Sequence, residues 1–383
     1  MRFEFATAVR ILFGPGRIEE LPALVCPLGS SALIVTGRTS SRAAHIAYSL
    51  AGSGIQTSLF PVDGEPTLEI VRGGARAARD FDFVIGFGGG SAMDAAKAIA
   101  SLATNSGEPL DYLEVIGKGQ ALEHAPLPFV LIPTTAGTGA EVTRNAVLGS
   151  PEHEVKASLR SPLINARLAL VDPELTLGVP APVTANTGLD TLTQLIEPYV
   201  SIRANAFTDA FCIAGLGRVR EALPRVHHDG SDRAARESMS FASLLSGLAL
   251  ANAGLGVVHG FAGPLGGMLG APHGALCAAV LPHGISANIR ALRERARDHE
   301  ALQRYTEAAR ILTGDAQAGA EDCVTWTAAL CRELAVVGLR SHGLEREQIP
   351  TLVEKAARAS SMKANPIQLT TAELTEIVER ASN

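Results

Sequence analysis

The sequence predicts an α/β protein, with a doubly wound and mostly parallel sheet in the N-terminal half and an all-helical C-terminal half. Two observations predict this class. Short β-rich runs alternate with helical runs through the first 180 residues, whereas after Pro180 helical periodicity continues without a convincing strand. A chain of 383 residues is also long enough for two domains with separate cores. We therefore expect one domain at residues 1–178 and a second at residues 179–383.

The expected elements of the first half follow one another in a strict alternation. Their ranges are a strand at 32–36, a helix at 42–52, a strand at 57–61, a helix at 68–80, a strand at 83–86, a helix at 92–103, and strands near 129–133 and 168–171. Strands that alternate with helices form βαβ units, and such units build a parallel sheet. In the second half, Thr370 and Glu373 have the spacing of a capping box before a last helix that ends near Ala381.

The composition of the chain indicates which partners are excluded and in which compartment the protein is expected. The net charge of −6 leaves no basic face for a phosphate backbone, so we expect no binding to nucleic acid. Residues 238–289 contain no charged side chain, but glycines, His259 and Pro264 interrupt any lipid-facing helix there. The N-terminus lacks the pattern of a signal peptide, and the five cysteines are odd in number without CxxC spacing. These features predict a cytoplasmic protein, no membrane span, and free buried thiols.

The strongest sign of a phosphate site is the glycine-rich run Gly86–Lys97, which follows a strand and leads into a helix. Glycines let the backbone approach a diphosphate, and the N-terminus of the next helix offers free N–H groups and a positive dipole end. A second loop, Thr134–Glu141, follows the strand that ends at Pro133 and offers hydroxyl groups. Two such loops at strand ends predict a ligand at the carboxyl edge of the sheet. Each loop alone is also compatible with a plain turn.

The uncharged segment contains His259, His273 and His283, and an oxygen pair lies upstream of it. Asp190 and Gln194 are four residues apart, so on a helix they lie on one face. Side chains that are polar and buried must find a partner or bind an ion. The oxygen pair and two histidines therefore form a candidate cation site, although any single histidine is more often a satisfied core residue.

Several motifs in one order resemble the iron-containing (group III) alcohol dehydrogenase family, in the superfamily of dehydroquinate synthase. They are Arg10–Gly16, the two loops above, Leu170–Leu175, Gly188–Asp190, Pro272–Gly274, Leu281–His283 and Ala364–Pro366, and together they span nearly the whole chain. The resemblance implies a dinucleotide-binding domain, a helical domain for metal and substrate, and a nicotinamide cofactor that faces a divalent metal in the cleft between them. It further implies metal-assisted hydride transfer between an alcohol and an aldehyde or ketone, with no side-chain base assigned.

The resemblance also implies site residues. The cofactor would contact a set of small and polar residues, namely Gly89, Gly90, Ser91, Asp94, Thr134, Thr135, Thr138 and Lys156. The metal would be held by Asp190, Gln194, His259 and His273. Gln194 departs from the family pattern, because relatives have a histidine there, and Gly263 replaces another histidine of the substrate pocket. An imidazole is a better donor to Fe²⁺ or Zn²⁺ than a neutral amide, so weaker metal binding, or a site without metal, remains open.

Cofactor choice, assembly and reaction type are less determined. The segment Thr36–Thr39 has no carboxylate to repel a 2′-phosphate, and Arg38 is either a partner for that phosphate or a solvated loop residue, so NAD and NADP are both compatible. An exposed N-terminal strand and the family pattern favour a homodimer. Three alternatives stay open: a metal-independent enzyme like maleylacetate reductase, a lyase like dehydroquinate synthase, and a non-catalytic dinucleotide-binding protein. The substrate itself, whether alcohol, aldehyde or keto acid, is not specified by the sequence.

Overall fold

The computed structural model describes residues 2–38 and 41–383. These residues form two compact units, each with its own core. The α/β unit comprises residues 6–135 and 139–177, and the helical unit comprises residues 178–383 together with the segment that ends at Phe5 and residues 136–138. The predicted domain limits of 1–178 and 179–383 remain a prediction in their details, since the helical unit also includes two short segments from the N-terminal half of the chain.

The α/β unit contains a six-stranded parallel sheet and a separate two-stranded hairpin. The strands are β1 Ile11–Phe13, β2 Ser31–Gly37, β3 Gln56–Val62, β4 Phe83–Gly88, β5 Phe129–Pro133, β6 Asn145–Ser150, β7 Val155–Arg160 and β8 Leu168–Val171. In the sheet their order is β1-β8-β5-β4-β2-β3, and every pairing in it is parallel. The fold class predicted from the sequence is confirmed.

The apolar strands explain why this sheet is covered on both faces. Every residue of β4, β5 and β8 is buried, and the five central residues of β2 are buried too. A strand that buries both faces reads as a continuous apolar run, as these strands do, because helices cover a parallel sheet on each side. The helices of this unit are α1 Leu21–Val25, α2 Ser41–Gly52, α3 Leu68–Ala78, α4 Gly90–Thr104 and α5 Pro109–Tyr112.

The hairpin of β6 and β7 was missing from the sequence-based expectation. The two strands pair antiparallel from Asn145 opposite Arg160 to Ser150 opposite Val155. Along β6 the buried residues alternate with half-buried ones, which is the period of a strand with one covered face. The buried positions are Ala146, Leu148 and Ser150, and the half-buried ones include Val147, so apolar residues fall on both faces and the hydrophobic alternation is weak.

The helical unit contains nine α-helices among the described residues. They are α6 Ala181–Val200, α7 Ala206–His228, α8 Arg233–Ala253, α9 Val257–Leu269, α10 His273–Arg295, α11 Glu300–Thr313, α12 Ala320–Glu333, α13 Ile349–Ala357 and α14 Thr371–Ala381. The capping box before α14 is confirmed, because Thr370 Oγ1 accepts from the backbone N–H of Glu373 and the Glu373 carboxylate accepts from Thr370 N. All residues from Gly188 to Val200 in α6 are buried, which makes this helix central to the unit.

One helix, α10, is long and apolar enough to cross a membrane by length and composition, and the bent pair of α8 and α9 passes the same test. The apolar window of α10 is 83% buried inside the protein, and α8 and α9 meet at 99°. A mostly buried helix of this kind is typical of a protein core. Within the described residues, most of the uncharged segment therefore packs in the interior of the helical unit.

Candidate functional site

The glycine-rich run lies where the parallel sheet reverses its strand order. β3 pairs with one side of β2 and β4 with the other, so β4 ends at Gly88 beside the point of reversal. α4 begins at Gly90 directly after it. In open α/β sheets, ligands bind at such a point beyond the carboxyl ends of the strands. The N-terminus of α4 thus offers backbone N–H groups of Gly90 and Ser91, with a positive dipole end, to an anion.

The loops after β4 and β5 adjoin each other. The N–H of Thr134 donates to the carbonyl of Gly88 at 2.9 Å, and a Cβ added to Gly89 would lie 3.4 Å from Thr135 Oγ1. Glycine is needed at position 88, because a Cβ there would come within 2.7 Å of the Ala92 Cβ. The structure therefore brings the glycine-rich and threonine-rich loops together at one edge of the sheet, as the sequence predicted.

Asp94 and Lys156, two residues of the expected cofactor set, have protein partners. One oxygen of Asp94 pairs with Lys97 Nζ at 2.7 Å, and the other accepts from Val147 N at 3.1 Å. Lys156 lies on β7 with its ammonium 2.9 Å from Glu65. Asp94 thereby helps to fix β6 behind the glycine-rich loop. The cofactor contacts of both residues remain predictions.

Two other residues named from the sequence lie elsewhere. Thr138 belongs to the helical unit and not to the α/β unit that holds Thr134 and Thr135. Arg38 forms an exposed ion pair with Asp63 at 2.6 Å. Thr39, which follows it, lies outside the described residues. The sequence analysis did not consider Asp63, which follows β3 and places a carboxylate beside the guanidinium.

In the helical unit, three predicted metal ligands come together from three helices. Asp190 lies on α6, His259 on α9 and His273 at the start of α10. Asp190 Oδ1 is 3.3 Å from His259 Nε2 and 3.8 Å from His273 Nε2. Asp190 and His259 are buried, whereas the His273 side chain is 33% exposed and forms the open edge of the cluster.

The fourth predicted ligand, Gln194, lies next to the cluster but uses its amide within the protein. Its Nε2 donates to Asp190 Oδ2 at 2.9 Å, and its Oε1 accepts from Ser246 Oγ at 2.9 Å. The orientation of the amide follows from Asp190, because an ionised carboxylate only accepts hydrogen bonds. Gln194 as a metal ligand remains a prediction. Gly263, the other departure from the family pattern, has open space where a Cβ would be.

A residue that the sequence analysis did not single out, Cys277, completes the cluster. It lies one turn after His273 on α10, and its Sγ is 3.6 Å from His273 Nε2. One ligand atom from each of Asp190, His259, His273 and Cys277 lies within 4.8 Å of the others. The four-residue spacing after His273 was the available signal, since it places both side chains on one helix face. His283, further along α10, is not part of this group. Of the five free thiols expected to be buried, four are, but Cys26 is exposed.

The carboxylate of Glu197 holds the His259 ring in place. Glu197 Oε2 accepts from His259 Nδ1 at 2.7 Å, and Oε1 accepts from Val258 N at 2.6 Å. When Nδ1 carries the proton for this bond, Nε2 presents its lone pair to the cluster. A carboxylate behind a histidine is the usual support of a metal-bound imidazole.

The charges of the cluster favour a cation. Burial opposes protonation of His259, but the Cys277 thiolate and the Asp190 carboxylate outweigh it and hold the pKa of His259 well above its usual value. Burial likewise would raise the pKa of Asp190, yet His273 and His259 keep the pKa of that carboxyl below its ordinary range. Negative groups that gather around two imidazoles stabilise added positive charge, whether as protons or as a metal ion.

The donor atoms fit a divalent metal. Asp190 Oδ1 and His259 Nε2 are buried without a hydrogen-bond partner in the described part of the chain. Buried polar atoms are nearly always paired, so these two atoms, 3.3 Å apart, are satisfied either by a proton on His259 Nε2 that lies between them or by a metal ion that binds both. Carboxylate, imidazole and thiolate are all ligands of transition metals. The site therefore has the ligand types of a metal centre, and two of its donor atoms make no hydrogen bond in the described part of the chain.

The comparisons with known proteins agree on one family. A family model described as iron-containing alcohol dehydrogenase matches residues 8–173, and the model of the family's C-terminal domain matches residues 184–382. The chain is 33% identical to alcohol dehydrogenase 4 of Saccharomyces cerevisiae (strain YJM789), over 96% of each chain. A crystal structure of 1,3-propanediol oxidoreductase is 30% identical with a TM-score of 0.92 over 100% of both chains. Sulfoacetaldehyde reductase from Bifidobacterium kashiwanohense, solved in complex with NAD⁺, is 30% identical with a TM-score of 0.86, over 100% of this chain and 99% of that one.

Proposed function

This chain belongs to the iron-containing alcohol dehydrogenase family, and we propose that it is a nicotinamide-dependent oxidoreductase that interconverts an alcohol and an aldehyde or ketone. The observation that carries the proposal is the convergence of Asp190, His259 and His273 with two orphaned, buried donor atoms. An enzyme that had lost its metal would not need this arrangement. The cluster therefore disfavours a metal-independent reductase.

The bound groups supply the chemistry. A divalent cation supplies Lewis acidity toward the substrate oxygen, and a nicotinamide supplies the acceptor or donor of the hydride. Asp190, His259 and His273 would hold the cation, whereas the amide of Gln194, the further ligand expected from the sequence, bonds to Asp190 and Ser246. The exposed edge at His273 leaves the cluster open on one side, as a catalytic site requires.

The surrounding residues position these groups. Glu197 fixes the tautomer of His259, and Gln194 holds Asp190 Oδ2 so that Oδ1 faces the imidazoles. At the other site, the N–H groups of Gly90 and Ser91 bind the diphosphate of the cofactor, with Gly89 allowing close approach. Thr134 and Thr135 line the adjoining loop, and Asp94, Thr138 and Lys156 complete the proposed set of cofactor contacts.

Four finer points belong to the proposal. NAD is favoured over NADP, because Asp63 already balances the charge of Arg38 and would repel a 2′-phosphate. The metal is Fe²⁺ or Zn²⁺, in keeping with imidazole ligands.

A homodimer is supported by β1 at the edge of the sheet and by the exposed rings of Phe3 and Phe207. The free cysteines support a cytoplasmic location.

Elemental analysis of protein purified without chelator, together with nicotinamide absorbance on a panel of alcohols and aldehydes, tests the function. We expect about one equivalent of metal per chain and a change in absorbance with at least one primary alcohol or its aldehyde. Cofactor bound at equilibrium without net change in absorbance would instead indicate a lyase. Dinucleotide binding with no reaction of any kind would indicate a non-catalytic binding protein.

A further inference from the structure

We propose that Cys277 is the fourth ligand of the metal in place of Gln194, and that its thiolate makes this a Zn²⁺ site. The inference refines the proposed function and rests on the metal site named there. It concerns a residue outside the ligand set that the sequence predicted.

The distances within the cluster fit one coordination sphere. Bonds of about 2.0–2.3 Å to a tetrahedral centre place neighbouring ligand atoms about 3.3–3.8 Å apart. Three of the six separations are 3.3 Å from Asp190 Oδ1 to His259 Nε2, 3.8 Å from Asp190 Oδ1 to His273 Nε2, and 3.6 Å from His273 Nε2 to Cys277 Sγ, and the other three are within 4.8 Å. The cluster thus needs little rearrangement to accept an ion at its centre.

Gln194 is poorly placed to be that ligand. Its nitrogen faces Asp190 and has no lone pair to offer, while its oxygen is turned to Ser246. A flip of the amide would set its oxygen against Asp190 Oδ2, and two acceptors in contact repel each other. Gln194 is therefore a positioning residue, which holds one oxygen of Asp190 and leaves the other for the ion.

The ligand charges favour the cysteine set over the glutamine set. Asp190, Gln194 and two neutral imidazoles carry one negative charge, whereas Asp190, Cys277 and the same imidazoles carry two. Two negative ligands balance a divalent cation, and a balanced set costs less to bury than one with a net charge. Cys277 and Asp190 are 0% and 2% exposed, so this balance applies at a buried site.

A thiolate among the ligands also selects the metal. Thiolate and imidazole together favour Zn²⁺, whereas oxygen-rich sets suit Mg²⁺ and Mn²⁺. The loss of the family's histidine at position 194 is thereby offset by a sulfur donor one turn after His273. Because His273 remains partly exposed, a substrate oxygen has access to the ion as an additional ligand.

Cobalt substitution tests the ligand directly. We expect the Co²⁺-loaded protein to show an intense near-ultraviolet charge-transfer band, since among the side chains of this cluster only a coordinated thiolate gives one. Cys277→Ala and Cys277→Ser should lose this band and bind Zn²⁺ at least about 100-fold more weakly, a larger loss than follows from removing a supporting partner of a ligand. Metal affinity is measured by chelator competition, without reference to turnover.

Cys323→Ala is the matched control, because Cys323 is also 0% exposed and lies on α12 outside the cluster. It should keep the cobalt band and the Zn²⁺ affinity. A second comparison uses Gln194→His in the Cys277→Ala background, where a restored imidazole should recover Zn²⁺ binding without recovering the band.

The outcomes separate this inference from the proposed function. If wild-type Co²⁺ protein lacks the band, or if Cys277→Ala binds Zn²⁺ as tightly as Cys323→Ala, the assignment of Cys277 is wrong even when the enzyme turns over. If the band is present but no alcohol or aldehyde reacts, the dehydrogenase proposal fails and the thiolate site stands.

Discussion

The two candidate sites are built in different ways. At the glycine-rich loop, the groups offered to a ligand are backbone N–H groups within one short run, Gly89–Ser91, at the start of α4. In the candidate metal cluster they are side chains from α6, α9 and α10, and neighbours in space are up to 87 residues apart in sequence, from Asp190 to Cys277. A backbone site can be recognised from a contiguous motif. A side-chain site depends on helix packing. That packing places Cys277, which the sequence analysis expected only as a free buried thiol, beside Asp190 and the two histidines.

Removing a proposed metal ligand should have the largest effect and should distinguish the contributions of the two sites. Asp190→Ala or His273→Ala is expected to abolish metal binding and to lower turnover by about three orders of magnitude, since Lewis acidity is worth several kcal/mol. Binding of NADH, followed by fluorescence, should be unchanged, because the glycine-rich loop is intact. Full activity without metal in either variant would overturn the role assigned to the cluster.

The two units also contain contrasting buried carboxylates. Asp190 has imidazole neighbours that keep its pKa low, whereas Glu141, in the α/β unit, is 2% exposed with no hydrogen-bond partner for Oε2. Burial raises the pKa of Glu141 to about 7, above its usual 4.5, despite the nearby ammonium of Lys97. The folded state therefore holds this proton more tightly than the unfolded state does.

The free energy of unfolding should consequently fall as the pH rises from about 4.5 to about 7, by up to about 3 kcal/mol. The stabilising contribution of protonated Glu141 is fully present below the pKa that this carboxyl has in the unfolded state, and it is lost above the pKa that it has in the folded state. Glu141→Gln should remove this pH dependence. The free energy of unfolding of the variant should therefore increase relative to that of the wild type at pH 8 but not at pH 4.5. Urea unfolding of both proteins at the two pH values checks it, and parallel stability profiles would contradict it.

A side chain added to the glycine-rich loop should weaken cofactor binding and leave metal binding unchanged, which is the opposite of the effect expected for the Asp190 and His273 variants. Gly89 has extended backbone angles and room for a Cβ, so Gly89→Ala should fold normally. The methyl group would hold the diphosphate away from the N-terminus of α4, and KM for NAD should rise about tenfold, or about 1.4 kcal/mol. Metal content is the control, and it should remain at the wild-type level.

The smallest expected effect concerns cofactor choice. Asp63→Asn frees Arg38 from its ion pair, so the ratio of kcat/KM for NADPH to that for NADH should rise a few-fold, as expected of an exposed charge worth under about 1 kcal/mol. Added salt should make this increase in the ratio smaller, because it screens exposed charges. An unchanged ratio would show that this edge of the sheet does not contact the adenosine ribose.

Sequence patterns succeeded where the determinant is local. The strands at 32–36 and 129–133 were evident from continuous apolar runs, and the structure places them as β2 and β5 within one residue of those limits. The capping box at Thr370 was equally local. The β6–β7 hairpin was missed because the buried positions of β6 combine Leu148 with Ala146 and Ser150 while Val147 lies on the other face, so the period-two pattern has little hydrophobic contrast.

The sequence by itself determined the fold class, the family and the glycine-rich loop, because hydrophobic periodicity and backbone freedom are properties of contiguous residues. It also supplied Asp190, His259 and His273 as candidates. Only the tertiary structure decided that Gln194 turns its amide to Asp190 and Ser246, and that Cys277 lies 3.6 Å from His273. Those contacts arise from the packing of α6, α8, α9 and α10, and no local pattern specifies how side chains of distant helices meet.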